Sequence, residues 1–257
     1  MGLYYTCMRL CATMVLLVSL VPARGQIDTA RRLTLEEALS LALLNNGQLD
    51  PDSRKVLLAE VEGTYFNQLY QICCYNTLNE QAYLLRDIER VARLRYEAGD
   101  IDLLEKTMMI SRLAEIRTTI SMLDDDLAIT TNRMKLLLLS SEEIFPADSI
   151  LTLYELRKGI GSGFLPDSAA QRAFENKKEN LEFELNKYFK KIQYFHQVAL
   201  VEADVLLEKN RIRFEKEEID YAEFVQRADG AYRIQMDYLE TVNKYNQTAI
   251  QLELYAY

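Results

Sequence analysis

Nine glycines, four prolines and no tryptophan in 257 residues leave this chain poor in turn-forming residues. A β-sandwich or barrel would need many more of them, so long helices are expected. Histidine occurs once, at His196, with no partners placed nearby for a metal centre or a catalytic triad, so a structural role is expected. Beyond residue 25 the cysteines reduce to Cys73 and Cys74. Adjacent cysteines on a helix diverge by about 100°, which suits neither an ordinary disulfide nor a shared metal. Small buried packing is their expected role. Basic charge is also in deficit: beyond residue 25, 28 basic residues face 39 acidic ones, a balance of −11. Phosphate binding needs clustered Lys and Arg, so nucleic acid is disfavoured as a partner. After the first 25 residues no apolar run is long enough for a transmembrane helix. Entry into a membrane would therefore have to use β-strands.

What is present begins with a leader. Arg9 precedes an apolar run over 12–21, and Ala23-Arg-Gly25 offers small residues before Gln26. That pattern predicts a signal peptide over residues 1–25 and export of the remainder. The strongest signal lies further on. Arg93-Leu-Arg-Tyr-Glu-Ala-Gly-Asp-Ile-Asp-Leu-Leu-Glu105 returns as Arg211-Ile-Arg-Phe-Glu-Lys-Glu-Glu-Ile-Asp-Tyr-Ala-Glu223, offset by 118 residues. Each copy separates two stretches of helical periodicity, so each reads as the turn of a helical hairpin.

In chain order, Thr34 and Glu37 form a capping box before an apolar face of Leu35, Ala38, Leu39 and Ala42. Asn45-Asn46-Gly47 is expected to end that short helix through a left-handed glycine. A long helix is predicted from about 54 to 98, with Gly99-Asp100 breaking it and Asp102 capping the next. Leu113, Ile116, Ile120, Leu123, Leu127, Thr130, Met134 and Leu137 then step by threes and fours, a coiled-coil seam. Asp124-Asp-Asp126 lies mostly off it and lacks the Ca²⁺-loop spacing, so it reads as a solvated face. Residues 149–156 are the strand candidate. The glycine cluster behind them at 159–163 lacks the Gly-Lys-Ser/Thr ending of a phosphate loop and reads as a bend. The second hairpin carries a seam of Phe174, Leu181, Leu185, Tyr188, Ile192, Phe195, Ala199 and Leu206. Its last helix steps through Tyr221, Phe224, Ala228, Ala231, Gln235, Tyr238, Val242, Tyr245, Ala249 and Leu252, a packing stripe. The expected fold class is mainly α: two long antiparallel coiled-coil hairpins with at most a short β element between them. The expected division is a first repeat over 26–148 (turn near 99–102), a strand or loop linker over 149–167, and a second repeat over 168–257 (turn near 217–220).

Leu33-Thr-Leu-Glu-Glu-Ala-Leu39 with Asn45-Asn46 resembles the opening of the TolC family of outer-membrane efflux proteins. Arg95-Tyr-Glu-Ala-Gly-Asp-Ile101 with Leu104-Glu105 resembles its hairpin-turn motif. The run from Glu218 through Tyr238-Leu-Glu240 to Asn243-Lys-Tyr-Asn246 is similar to a branch found beside heavy-metal RND pumps. The resemblance implies an efflux duct component: three protomers forming a helical tunnel in the periplasm beneath a β-barrel in the outer membrane. It implies a passive conduit and no enzyme, with no catalytic residue, cofactor or bound metal. The implied partners are a periplasmic adaptor (membrane fusion protein) and an inner-membrane RND pump, with heavy-metal cations as cargo. The adaptor would meet the tips, Gly99, Asp100, Ile101, Asp102 and Leu103 in the first and Glu217, Glu218, Ile219, Asp220 and Tyr221 in the second. Glu105 and Glu223 fall where the family places an acidic constriction, and a carboxylate ring at a narrow aperture concentrates cations. Two departures stand out. Glu217 occupies a position where the family has glycine. The links at 47–52 and 149–167 leave space for about one spanning strand of roughly 9–11 residues. The alternative is a periplasmic coiled-coil scaffold derived from that family and lacking a membrane barrel.

Overall fold

The computed structural model of the chain describes residues 30–156, 169–216 and 218–255. The leader expected over 1–25, the glycine-rich bend at 159–163 and Glu217 lie outside them. The described elements are β1 (Arg31–Leu33), α1 (Leu35–Asn45), α2 (Pro51–Ala98), α3 (Leu103–Leu137), β2 (Ile144–Pro146), α4 (Ala169–Tyr194), a π-helical turn (Phe195–Ala199), α5 (Leu200–Glu215) and α6 (Tyr221–Leu254). They form two long antiparallel hairpins, α2–α3 and α4/α5–α6. The helices lie in a row: α3 packs on α2, α2 on α6, and α6 on α4 and α5.

Caps explain where the helices begin. The capping box at Thr34 and Glu37 forms as expected, with both reciprocal hydrogen bonds in place. α2 starts at Pro51, three residues earlier than the sequence suggests, because Asp50 accepts from the Asp52 and Ser53 amides and Pro51 needs no donor at the first helical position. Its 48 residues extend for about 70 Å at 1.5 Å per residue. Gly47 is not a left-handed cap, since only Gly99 among the described glycines has positive φ. Asn45 and Asn46 instead donate to the carbonyls of Leu138 and Leu137 at 2.7 and 3.2 Å, satisfying the open end of α3.

The predicted seams of α3 and α6 hold: every residue named in them is buried or half-buried. The seam of α4–α5 holds only to Ala199. Leu206 is exposed, and the buried positions continue instead through Ala203, Leu207 and Asn210. The π turn absorbs one extra residue, so every position below it faces one residue later than the heptad predicts.

Residues 149–156 are not a strand. They run as an extended strap along the α2–α6 junction, with Leu151 and Tyr154 buried against Phe66, Leu69, Val242, Ala249 and Ile250. Fully buried Asn246 stands in for a neighbouring strand: its Nδ2 donates to Thr152 O and its Oδ1 accepts from Tyr154 N, both at 2.8 Å. The Tyr154 hydroxyl lies 2.8 Å from Glu253 Oε2 and 3.1 Å from Glu62 Oε2, tying the strap to both helices. The described β structure is the unpredicted parallel pair β1–β2, three residues each, in register Arg31 with Ile144. Leu33 and Ile144 plug it into a core with Ala38, Ala42, Val61, Tyr65, Met134 and Leu138. Cys74 is buried and Cys73 half-buried, both as free thiols; burial pushes the Cys74 thiol up to about 12.

Candidate functional site: the paired hairpin tips

Both tips are built by the same local chemistry. In the first, Gly99 adopts φ 82 and its amide donates to Tyr96 O, while Asp100 N donates to Arg95 O at 2.8 Å. This double closure is the left-handed helix end that glycine favours. Asp102 then caps α3 by accepting from Glu105 N at 2.8 Å. In the second tip, Glu218 N donates to Arg213 O at 2.9 Å and Asp220 accepts from Glu223 N at 2.8 Å. These are the same bonds displaced by 118 positions. The sequence repeat is a structural repeat.

The structure brings the two tips together. Ile88 and Ala92 of α2 form one core with Ile219, Tyr221, Phe224 and Ala228, and Ile101 and Phe214 pack against it. Ile219 and Tyr221 therefore face inward, while Asp100, Asp102 and Leu103 of the first tip and Glu218 and Asp220 of the second are exposed. Burial first, then the charges of Asp229, Glu89 and Glu105, push the Tyr221 phenol upward, so it stays neutral. Its hydroxyl has no hydrogen-bond partner among the described residues.

The paired glutamates differ in their surroundings. Glu223 is bonded to Arg227 and lies 4.0 Å from Arg213. Glu105, half-buried, has no ion pair among the described residues. Two features escaped the sequence reading. Leu94, Leu103, Leu104 and Met108 are each more than half exposed, giving the first tip a larger apolar surface than the described residues of the second, where Ile212 is 39% exposed. The signal for it was Leu103-Leu104, which breaks the three-four stepping. Behind the tips, Gln81 of α2 donates to Asp229 Oδ1 of α6 at 2.8 Å. Arg112 of α3 brings Nε within 2.8 Å of Asp229 Oδ2, an ion-pair contact with the N–H turned off the oxygen. This polar triad joins three helices and has no sequence signature, because its members lie on separate helices. Among the described residues no cluster of His, Cys, Asp and Glu could hold a metal, and no helix is long and apolar enough to cross a membrane. His196 is exposed, with Nε2 3.2 Å from the Tyr238 hydroxyl.

No family model matches the sequence, and no curated protein matches it. Solved structures do. CusC, whose crystal structures concern conformational changes accompanying folding and transmembrane channel formation, aligns with a TM-score of 0.58 at 12% identity, covering 86% of this chain and 73% of CusC. The Campylobacter jejuni CmeC outer membrane channel aligns with a TM-score of 0.54 at 13% identity, covering 86% of this chain and 66% of CmeC. At such identities the likeness establishes the fold. The fold is that of channel proteins, and neither neighbour is an enzyme.

Proposed function

We propose that this chain is the duct component of a tripartite, RND-type export system, acting as a passive trimeric conduit in the outer membrane and periplasm. The observation that carries the reading is the row of four helices with two unpartnered apolar edges, on a fold shared with membrane channels. On the outer side of α3, Met122, Ile129 and Leu136 are exposed at seven-residue spacing. On α4, the π turn and α5, Tyr194, Val198, Val201 and Val205 are exposed. Each edge is a helical stripe that a neighbouring copy would bury, and rotation about one axis closes such head-to-tail contacts into a ring.

The exposed tips are where a periplasmic adaptor would dock, chiefly on Leu94, Leu103 and Leu104 of the first, together with Gly99, Asp100, Asp102, Glu218 and Asp220. Glu105 and Glu223, three residues past each helix cap, form the candidate acidic constriction. A ring of carboxylates there favours cationic cargo, heavy-metal ions included. The inner-membrane pump supplies the energy, so the duct needs no catalytic group and no cofactor.

The test is fractionation of the full-length protein in its native cell, followed by the mass of the detergent-extracted species. An outer-membrane trimer supports the duct. A soluble periplasmic monomer sinks it and favours the scaffold alternative. That rival rests on one observation, that both described strands have three residues, well short of the roughly 9–11 that span a membrane.

A further inference from the structure

Charges along the long helices are commonly neutralised within their own helix, as Arg93 is by Glu89, Arg211 by Glu208 and Lys244 by Glu240. Two exposed charges are left over, one on each outer edge of the row. Asp125 stands on α3 between Met122 and Ile129, on the face turned away from the seam of Leu123, Leu127 and Thr130. No Lys, Arg or His lies within four residues of it. Lys190 stands on α4 between Lys187 and Tyr194, on the face turned away from buried Leu181 and Ile192. No Asp or Glu lies within four residues of it. Neither makes an ion pair among the described residues. The two charges also lie at neighbouring heights. Ile101 and Ile219 pack into one core, so the tips are level. Asp125 lies 24 residues along α3 from Ile101, and Tyr194 lies 25 residues before Ile219, one of them absorbed by the π turn. Asp125 is therefore level with Tyr194, and Lys190 stands one turn higher, a step of about 5.4 Å that the flexible lysine stem covers. Within a protomer they cannot meet, because α2 and α6 stand between α3 and α4.

We infer that the Asp125 carboxylate of one copy accepts from the Lys190 ammonium and the Tyr194 hydroxyl of the next, a polar lock that decides which edges meet and at what height. The inference rests on the ring of copies in the duct reading and names the contact that gives that ring its specificity. Exposed apolar side chains flank both halves of the lock, Met122 and Ile129 on α3, Phe183 and Val198 on the other edge. Apolar stripes alone fit together in several registers, whereas a charge left unpaired between them is costly, so the pair selects one register. Edges of the same kind are refused. α3 beside α3 would set Asp125 and Asp126 against their own copies, and α4 beside α4 would do the same to Lys187 and Lys190. Only the head-to-tail contact remains, and that is the kind that closes a ring of three.

Charge reversal in the full-length protein tests it, with the detergent-extracted species followed by sedimentation over a dilution series. Asp125→Lys alone and Lys190→Asp alone should each raise the concentration at which half the trimer has dissociated by at least about tenfold. The double variant, which exchanges the two charges, should return to within about threefold of the parent. Both positions are exposed, so circular dichroism should show the parent's helix content in all three variants. Residues on opposite edges of a protomer can compensate for one another only if those edges meet between copies. A parent trimer that the single reversals do not loosen, or that the double variant does not restore, overturns the lock and leaves the duct reading standing. A parent that is monomeric at every concentration overturns both.

Discussion

The first hairpin turns on a glycine and its helices run unbroken behind it; the second turns without one, and its helices carry a π turn and an internal glycine. Gly99 at φ 82 closes the first tip, and α2 and α3 then run as uninterrupted α-helix. The second tip repeats the same capping bonds around Glu217, and its helices carry the π turn and Gly230. Two copies of one motif are thus continued by helices of different regularity. Local capping fixes the shape of a tip, whereas the continuity of the helices behind it is set separately. The two hairpins meet directly where α2 packs on α6, and the strap adds a second tie across that junction.

The largest expected effect therefore belongs to Asn246→Ala. It removes both partners of the strap backbone, leaving the buried Tyr154 N with nothing to bond, while the carbonyl of the exposed Thr152 can turn to water. At about 1–3 kcal/mol for a stranded buried group, a loss of about 1–3 kcal/mol is expected, read by urea or guanidinium unfolding. Asn243→Ala on the same helix is the control. Its Nδ2 reaches Asn67 at 3.3 Å in a half-buried seam, and its loss should cost under about 1 kcal/mol. Equal losses would mean that the strap does not join the hairpins.

Gly99→Ala comes next. The added Cβ meets nothing within 4 Å, so its whole cost is the left-handed backbone, roughly 1–2 kcal/mol. The repeat supplies the reverse experiment. Position 217 is the counterpart of Gly99 in sequence, so Glu217→Gly should raise stability by up to about 1 kcal/mol. A loss at both positions would break the equivalence of the tips.

Much of this comparison was legible in the sequence. The repeat located both tips, Thr34 and Asp102 announced their caps, and three-four stepping recovered the α3 and α6 seams residue by residue. These are local signals, set within a turn or two of helix. Leu206 was misplaced because a heptad count assumes a uniform rise and turn, and one inserted residue at 195–199 rotates everything after it. The strap was mistaken for a strand because alternating apolar residues give the same pattern whether the backbone pairs with a strand or with a buried amide. Asn45 and Asn46 end their own helix as expected, but they also cap α3 some ninety residues away. That kind of contact leaves no periodic trace.

Gly230→Ala and Gly63→Ala sharpen the comparison of the two hairpins at smaller cost. Alanine at 230 enters open space, so helix propensity alone acts and stability should rise by about 0.5–1 kcal/mol. Alanine at 63 would sit 3.0 Å from Gln247 Oε1 and disturb the bond from Gln247 to Gly63 O. That disturbance offsets most of the same propensity gain, leaving a change within about 0.5 kcal/mol of zero. Thermal unfolding of the two variants side by side would show it.

The smallest effect is the most telling about the tips. Glu223→Gln removes a carboxylate that Arg227 and Arg213 already neutralise in a partly exposed setting, where such pairs contribute about 0–1 kcal/mol. Glu105→Gln removes one with no described cationic partner, so its expected effect on stability is nearer zero. For cation attraction the order reverses. An unneutralised carboxylate projects its field outward, whereas one held between two arginines projects little. In reconstituted protein, Glu105→Gln should therefore lower cation selectivity more than Glu223→Gln does, although it disturbs the fold less. If Glu223→Gln had the larger effect on selectivity, the charge that matters at the tips would be the one the arginines hold, and the assignment of the constriction to Glu105 would fall.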